Sequence, residues 1–117
     1  MMASHIELGK QGEELAEEYL VKKGYSILHR NWRHSHYEID IIALKNNVLQ
    51  IIEVKLRKFY ANPEESVSRK KLKYLMQAAD EFLYRNKQYK HIQINILAIT
   101  ICKDDSAEYF FIEDVYL

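Results

Sequence analysis

One cysteine, one proline and three glycines are all that 117 residues hold of the types that most often staple or punctuate a chain. Cys102 has no second cysteine to pair with, so no internal disulfide can form, and its neighbours Thr100 and Ile101 suggest a buried thiol. Nothing calls for an oxidising compartment, and a cytoplasmic setting is expected. Gly9, Gly12, Gly24 and Pro63 are too sparse to make a linker, and neither a repeat nor a low-complexity tract is present, so residues 1–117 are expected to form a single domain. A chain of this length can bury roughly two-thirds of its unfolded surface. About 18 consecutive apolar residues occur nowhere, and the opening MMASHIELGK has no apolar run behind a basic start, so neither a membrane span nor a signal peptide is expected. Net charge is missing too: 17 basic residues balance 17 acidic ones, and no overall basicity advertises a nucleic-acid partner.

What is present is an uneven distribution of those charges. From Lys55 to Lys73 the chain carries Lys55, Arg57, Lys58, Arg69, Lys70, Lys71 and Lys73 against only Glu64 and Glu65. Such a strip could follow a phosphate backbone, or it could simply solvate a helix face, and both readings stand at this point.

Apolar periodicity supplies the elements. Over residues 6–23, Leu8, Leu15, Ala16, Tyr19 and Leu20 recur at helical spacing until Gly24 ends the pattern. YSILHR (25–30), YEIDIIAL (37–44) and VLQIIEVK (48–55) read as three strands, antiparallel because the gaps between them are short. After a polar loop, LRKFYANPEE, Ser66 or Ser68 can cap a second helix with the stripe Leu72, Leu75, Met76, Ala79, Phe82 and Leu83, ending near Asn86. HIQINILAITI (91–101) is apolar almost throughout, as a strand covered on both faces would be, and EYFFI (108–112) is a last short strand. A strand, a helix and a further strand imply a parallel crossover. The expected fold is α/β: a mixed five-stranded sheet flanked by helices, in the order α-β-β-β-α-β-β.

The second and third strands concentrate the chemistry. If Asn46 and Asn47 form a two-residue turn, Lys45 faces Val48, Asp40 falls opposite Glu53, and Glu38 opposite Lys55. Strict alternation would then project all four from one face, with Cβ atoms of opposed residues roughly 4.5–5.5 Å apart. Alternating Glu and Lys on a strand most often marks a wet face, but such a face would more naturally set a lysine than a second acid opposite Asp40. Two opposed carboxylates repel unless a cation separates them, and Mg²⁺, a hard ion that keeps several waters, needs few protein ligands. Glu13 borders the apolar stripe of the first helix, where it could lean toward the sheet or be an ordinary solvated glutamate. Arg69, Lys73 and Gln77 run down one flank of the second helix with Lys70 beside them. His29, His34 and His36 surround Trp32 and Arg33, but no cysteine lies near and the spacing fits no common zinc site. Trp32 and the nine tyrosines are expected to pack rather than to stack bases.

With those residues in place, the sequence resembles the YraN-like family of small bacterial proteins, a branch of the restriction-endonuclease-like superfamily whose signature is an acid followed by Glu-x-Lys. The resemblance runs through GKQGEELAEEYL (9–20), GYSILHRNWR (24–33), EIDIIAL (38–44), IIEVKLR (51–57) and ESVSRKK (65–71). Tyr37 stands where that family usually has Gly, and Asn95 where an Asp is expected. The resemblance implies a nuclease-type core in which Asp40 and Glu53 bind metal, Lys55 assists the attacking water, and Glu13 and Glu38 line the site. It also implies kinship with archaeal Holliday-junction resolvases.

The leading expectation is therefore a Mg²⁺- or Mn²⁺-dependent endonuclease hydrolysing DNA, branched or flapped DNA included. Asp40, Glu53 and Glu13 would hold metal, Asp40, Glu53, Lys55, Glu13 and Glu38 would make up the catalytic set, and Arg57, Lys58, Arg69, Lys70 and Lys73 would contact the nucleic acid. The alternatives are a non-catalytic nucleic-acid-binding module of nuclease fold and a homodimeric protein-interaction domain.

Overall fold

The structure of the chain, a computed structural model, describes residues 5–59 and 67–115, the first six of these as backbone only. The expected Leu8 side chain, the alternative cap Ser66 and the acids Glu64 and Glu65 lie outside the described residues. Helix α1 (His5–Lys22) is followed by β1 (Ser26–His34), β2 (Tyr37–Lys45), β3 (Val48–Lys58), helix α2 (Arg69–Arg85), β4 (Ile92–Ile101) and β5 (Ala107–Ile112). The strands form one sheet in the order β1-β2-β3-β4-β5. β4 runs parallel to β3, as the crossover through α2 requires, and every other neighbouring pair is antiparallel. This is the mixed α/β architecture expected from the sequence.

Local chemistry explains the joints. At the end of α1, Gly24 adopts φ +92°, a conformation that costs glycine little, and the amides of Gly24 and Tyr25 donate to the carbonyls of Val21 and Leu20. Asn46 and Asn47 both have positive φ, 52° and 64°, which makes the β2–β3 connection the tight turn whose twist suits a hairpin. Ser68 caps α2 by accepting a hydrogen bond from the Lys71 amide at 3.1 Å, and Asn86 closes the helix.

Two apolar layers sandwich the sheet. On one face Ala16 and Leu20 of α1 pack on Ile41, Ala43, Ile52, Leu97 and Ile99, and Tyr19 stacks on Tyr109 at 4.7 Å. A Cβ at Gly12 would lie 3.3 Å from Leu56, so the missing side chain lets α1 settle closely on β3. On the other face Ala78, Ala79 and Phe82 of α2 cover Ile39, Ile42, Leu49, Ile51 and Ile94. Each fully buried aliphatic side chain contributes about 1.5–3 kcal/mol.

Three details depart from the sequence pattern. β1 continues past Arg30 to His34 because Trp32 packs edge-on against Phe82 at 5.5 Å, a tertiary contact that local pattern does not announce. β3 likewise runs on to Lys58, alongside β4. The buried stripe of α2 is Leu75, Ala78, Ala79 and Phe82, so it is rotated away from Met76, which is exposed. The histidines are dispersed: His29 lies edge-on to Phe82, His34 is 3.3 Å from Glu81, and His36 lies against Tyr37.

Asn95, at the position where an acid was expected, is fully buried and ties the sheet to the segment after β5. Its side-chain amide donates to Gln50 Oε1 at 2.7 Å, while its oxygen accepts from Gln93 and from the Asp114 amide, each at 3.0 Å. Replacing Asn95 by Ala strands these partners, and urea unfolding is expected to register a loss of about 2–3 kcal/mol, with faster hydrogen exchange at the Asp114 amide. An unchanged midpoint would remove Asn95 from this role.

Candidate active site

The β2–β3 ladder follows the expected register from Lys45↔Val48 to Ile41↔Ile52 and then stops. The next amide in line, that of Val54, donates instead to Asp40 Oδ2 at 2.9 Å. A carboxylate thus occupies the place that Ile39 would take in a continued ladder. The side-chain alternation of β2 is reset at the same point, since Ile39 packs in the α2 layer and Ile41, two residues on, in the α1 layer. β1 kinks beside it: Asn31, between Arg30 (paired with Ile41) and Trp32 (paired with Ile39), has φ 53°.

β3 stays regular. Val54 and Leu56 pack toward α1, which turns Glu53 and Lys55 toward α2. Glu53 is only 5% exposed. Its carboxyl lies close enough to that of Asp40 for each to shift the other, so the two acids are brought together as the hairpin register implies. Burial, and then the neighbouring Asp40 charge, push the Glu53 carboxyl up to about 7. Asp40 is also raised, by burial first and with a contribution from the nearby Glu38 charge, against the Val54 hydrogen bond and Lys71, which pull it down. Both carboxyls are therefore more readily protonated than ordinary acids.

Two lysines converge on one oxygen of that pair. Lys55 Nζ lies 3.5 Å and Lys71 Nζ 3.7 Å from Glu53 Oε1. Lys71 comes from the first turn of α2, with its ammonium also 4.8 Å from the centre of the Tyr74 ring. Tyr74 anchors that part of α2: its hydroxyl accepts from the Glu38 amide at 2.8 Å and donates to the His36 carbonyl at 2.6 Å. Lys71 was not singled out as a site residue from the sequence, although it precedes the buried Leu75 by four positions and so belongs to the inward face of α2.

Other expected participants sit differently. Glu38 does not face Lys55, because the pairing ends before that level; it is exposed and bridged to Arg33 at 3.2 Å. Glu13 lies on α1, which covers the face opposite to Glu53 and Lys55. Among the described residues no group of three or more His, Cys, Asp or Glu side chains is gathered as a metal cage, so the site is an acid pair with two lysines. Arg57 continues the Glu53–Lys55 face of β3, whereas Lys58 alternates to the other; Arg69, Lys70 and Lys73 are exposed on α2. Among the described residues no helix is long and apolar enough to cross a membrane.

A mixed α/β sheet with a buried acid pair at the mouth of an opened hairpin defines the class of protein. The family described as "Uncharacterised protein family UPF0102" matches residues 12–101, and the chain belongs to that family. It is 51% identical over 84 residues to a UPF0102 protein of Bacteroides thetaiotaomicron, covering 70% of this chain and 69% of that one. A UPF0102 protein of Flavobacterium johnsoniae is 40% identical over 115 residues, 96% of this chain and 93% of its own length.

An acid whose folded pKa is raised stabilises the fold most below its unfolded value and loses that contribution as pH rises through the folded one. For Glu53 the window runs from the usual 4.5 up to about 7. In chelator, thermal unfolding is thus expected to show stability falling between pH 5 and 8, and Glu53→Gln to remove most of this slope while raising stability at pH 8 by roughly 1–3 kcal/mol. Parallel pH profiles for the two proteins would refute the assignment.

Proposed function

We propose that this chain is a metal-dependent endonuclease-like protein that hydrolyses phosphodiester bonds in DNA, branched or flapped DNA included. The carrying observation is the buried Asp40–Glu53 pair, held together at a cost to stability and met by two lysines on a single oxygen. A pair placed for stability alone would be better replaced by apolar side chains of similar volume.

The donor set fits a hard divalent cation such as Mg²⁺ or Mn²⁺. Both groups offer carboxylate oxygens, and only one Asp40 oxygen is engaged by the Val54 amide. Asp40 and Glu53 would hold the ion in their ionised form, so binding would compete with protons. The chemistry such an ion supplies is charge neutralisation at the phosphate and acidification of water.

The remaining steps belong to the chain's own side chains. Lys55, held beside Glu53 by their ion pair, would orient the attacking water and stabilise charge developing on the phosphorus centre. Lys71 would hold a phosphate oxygen, assisted by the N-terminal turn of α2, which contains no acidic residue. Arg57, Lys58, Arg69, Lys70 and Lys73 would carry the flanking backbone. Glu38 at the rim raises Asp40 by its charge, and Glu13, on the helix that covers the other face, stays outside the reacting groups in this reading. Paired cuts on a branched junction would call for a second copy of the chain.

Isothermal titration of Mn²⁺ into the protein, alone and with a branched DNA, tests the metal site. Saturable binding is expected, and Glu53→Ala should abolish it. In cleavage assays Asp40→Asn, Glu53→Gln and Lys55→Ala should each lower the rate by about 100-fold or more with circular dichroism unchanged. Full activity in all three variants, or an absence of Mn²⁺ binding under both conditions, would overturn the proposal; DNA binding that is salt-sensitive but indifferent to chelator would then identify a non-catalytic binding module.

A further inference from the structure

Beyond the acid pair the sheet continues as an open ledge. Lys55 is in register with Ala98 of β4, and Ala98 with Phe110 of β5. Phe111 and Tyr109 pack against Tyr19 on the α1 side, so Phe110 between them faces the side of Glu53 and Lys55. There it is 67% exposed. A lone exposed phenylalanine needs no explanation, but one standing two strand spacings, about 10 Å, from a site lysine across a flat alanine does.

The geometry points to Phe110 as a stacking platform for an unpaired DNA base next to the phosphate held by Lys55 and Lys71, making it the residue that selects single-stranded or frayed substrate at this site. The inference rests on the nuclease reading and deepens it. Charge fixes the polarity of the ledge. Lys55 and Lys71 favour the phosphate at one end. Exposed Glu108, two residues from Phe110 and in register with Thr100, disfavours a phosphate at the other, so the base and not the backbone lies over the ring. A duplex end cannot reach Phe110 without unstacking, whereas an unpaired nucleotide spans the distance when extended. Base-on-aromatic stacking is tolerant of sequence, so the preference would be for strand state rather than for a particular base.

Fluorescence anisotropy with a labelled single-stranded oligonucleotide and a blunt duplex of equal length, in a Glu53→Gln background that prevents cleavage, provides the test. Phe110→Ala is expected to weaken single-strand binding by about 5- to 150-fold while duplex binding stays within about twofold, and Phe110→Trp to restore it. Equal loss on both substrates, no loss on either, or a change in oligomeric state on Phe110→Ala would overturn the stacking role, the last by assigning the ring to a second copy of the chain. If Phe110→Ala binds normally while Lys71→Ala loses both substrates, the nuclease reading survives without the platform. If the protein with Glu53 intact also binds neither oligonucleotide, both fall.

Discussion

The hydrogen bond from the Val54 amide to Asp40 governs the architecture around the site. A backbone donor in the middle of a sheet must be satisfied, and when a carboxylate takes the place of a carbonyl the neighbouring strand no longer has to stay alongside. β2 can then leave β3 without stranding a buried amide, and the space between the separating strands is where Glu53 meets Asp40. The reset of alternation in β2 and the left-handed backbone at Asn31 in β1 follow from the same departure. What would count as a defect in a regular hairpin is therefore the device that turns an acid sideways into the plane of the sheet.

Such an opening would be loose if β3 were held from β2 alone. It is not, because the parallel pairing of β3 with β4 continues from Leu49 to Lys58, well past the last β2 partner at Ile52. Glu53 and Lys55 remain pinned by β4 where β2 has gone. Lys71 is fixed from a third direction, through the Ser68 cap, the two hydrogen bonds of the Tyr74 hydroxyl and the packing of Phe82 against Trp32. Three elements thus converge on one carboxylate, and the aromatic contact on β1 sets the seat of a lysine in the first turn of α2.

Much of this was legible in the residues. The Asn46-Asn47 pair announced the turn, the turn announced the register, and the register placed Asp40 opposite Glu53. The extrapolation to Glu38 and Lys55 failed because alternation assumes an unbroken ladder, and no one-dimensional pattern encodes a side chain that substitutes for a backbone acceptor. Glu13, at the border of its helical stripe, was compatible with either side; only the docking of α1 on the face of Val54 and Leu56 settles which layer it belongs to. Lys71 was hidden among seven basic residues, although the inward stripe that starts at Leu75 points back to it. The run YFF likewise reads as a strand whichever face is covered, and it is the stacking of Tyr19 on Tyr109 that leaves Phe110 outside.

Composition alone would have argued against a polyanionic partner, because the chain has no net charge. The local balance is different. Burial and the neighbouring Asp40 charge raise the Glu53 carboxyl to about 7, so the pair carries less than its full negative charge near neutrality, beside the ammonium groups of Lys55 and Lys71. On the proposed nuclease reading, this balance would favour a phosphate at the site. On the same reading, Asp40 and Glu53 would hold a divalent ion whose charge has the same sign as the lysines, so phosphate and cation would reinforce rather than oppose each other. The raised carboxyl pKa, the paired lysines and the acid-free first turn of α2 are in this sense a single arrangement: each makes a buried position tolerable to the next, and removing the lysines would leave an acid pair that needs a proton or another cation to stabilise it.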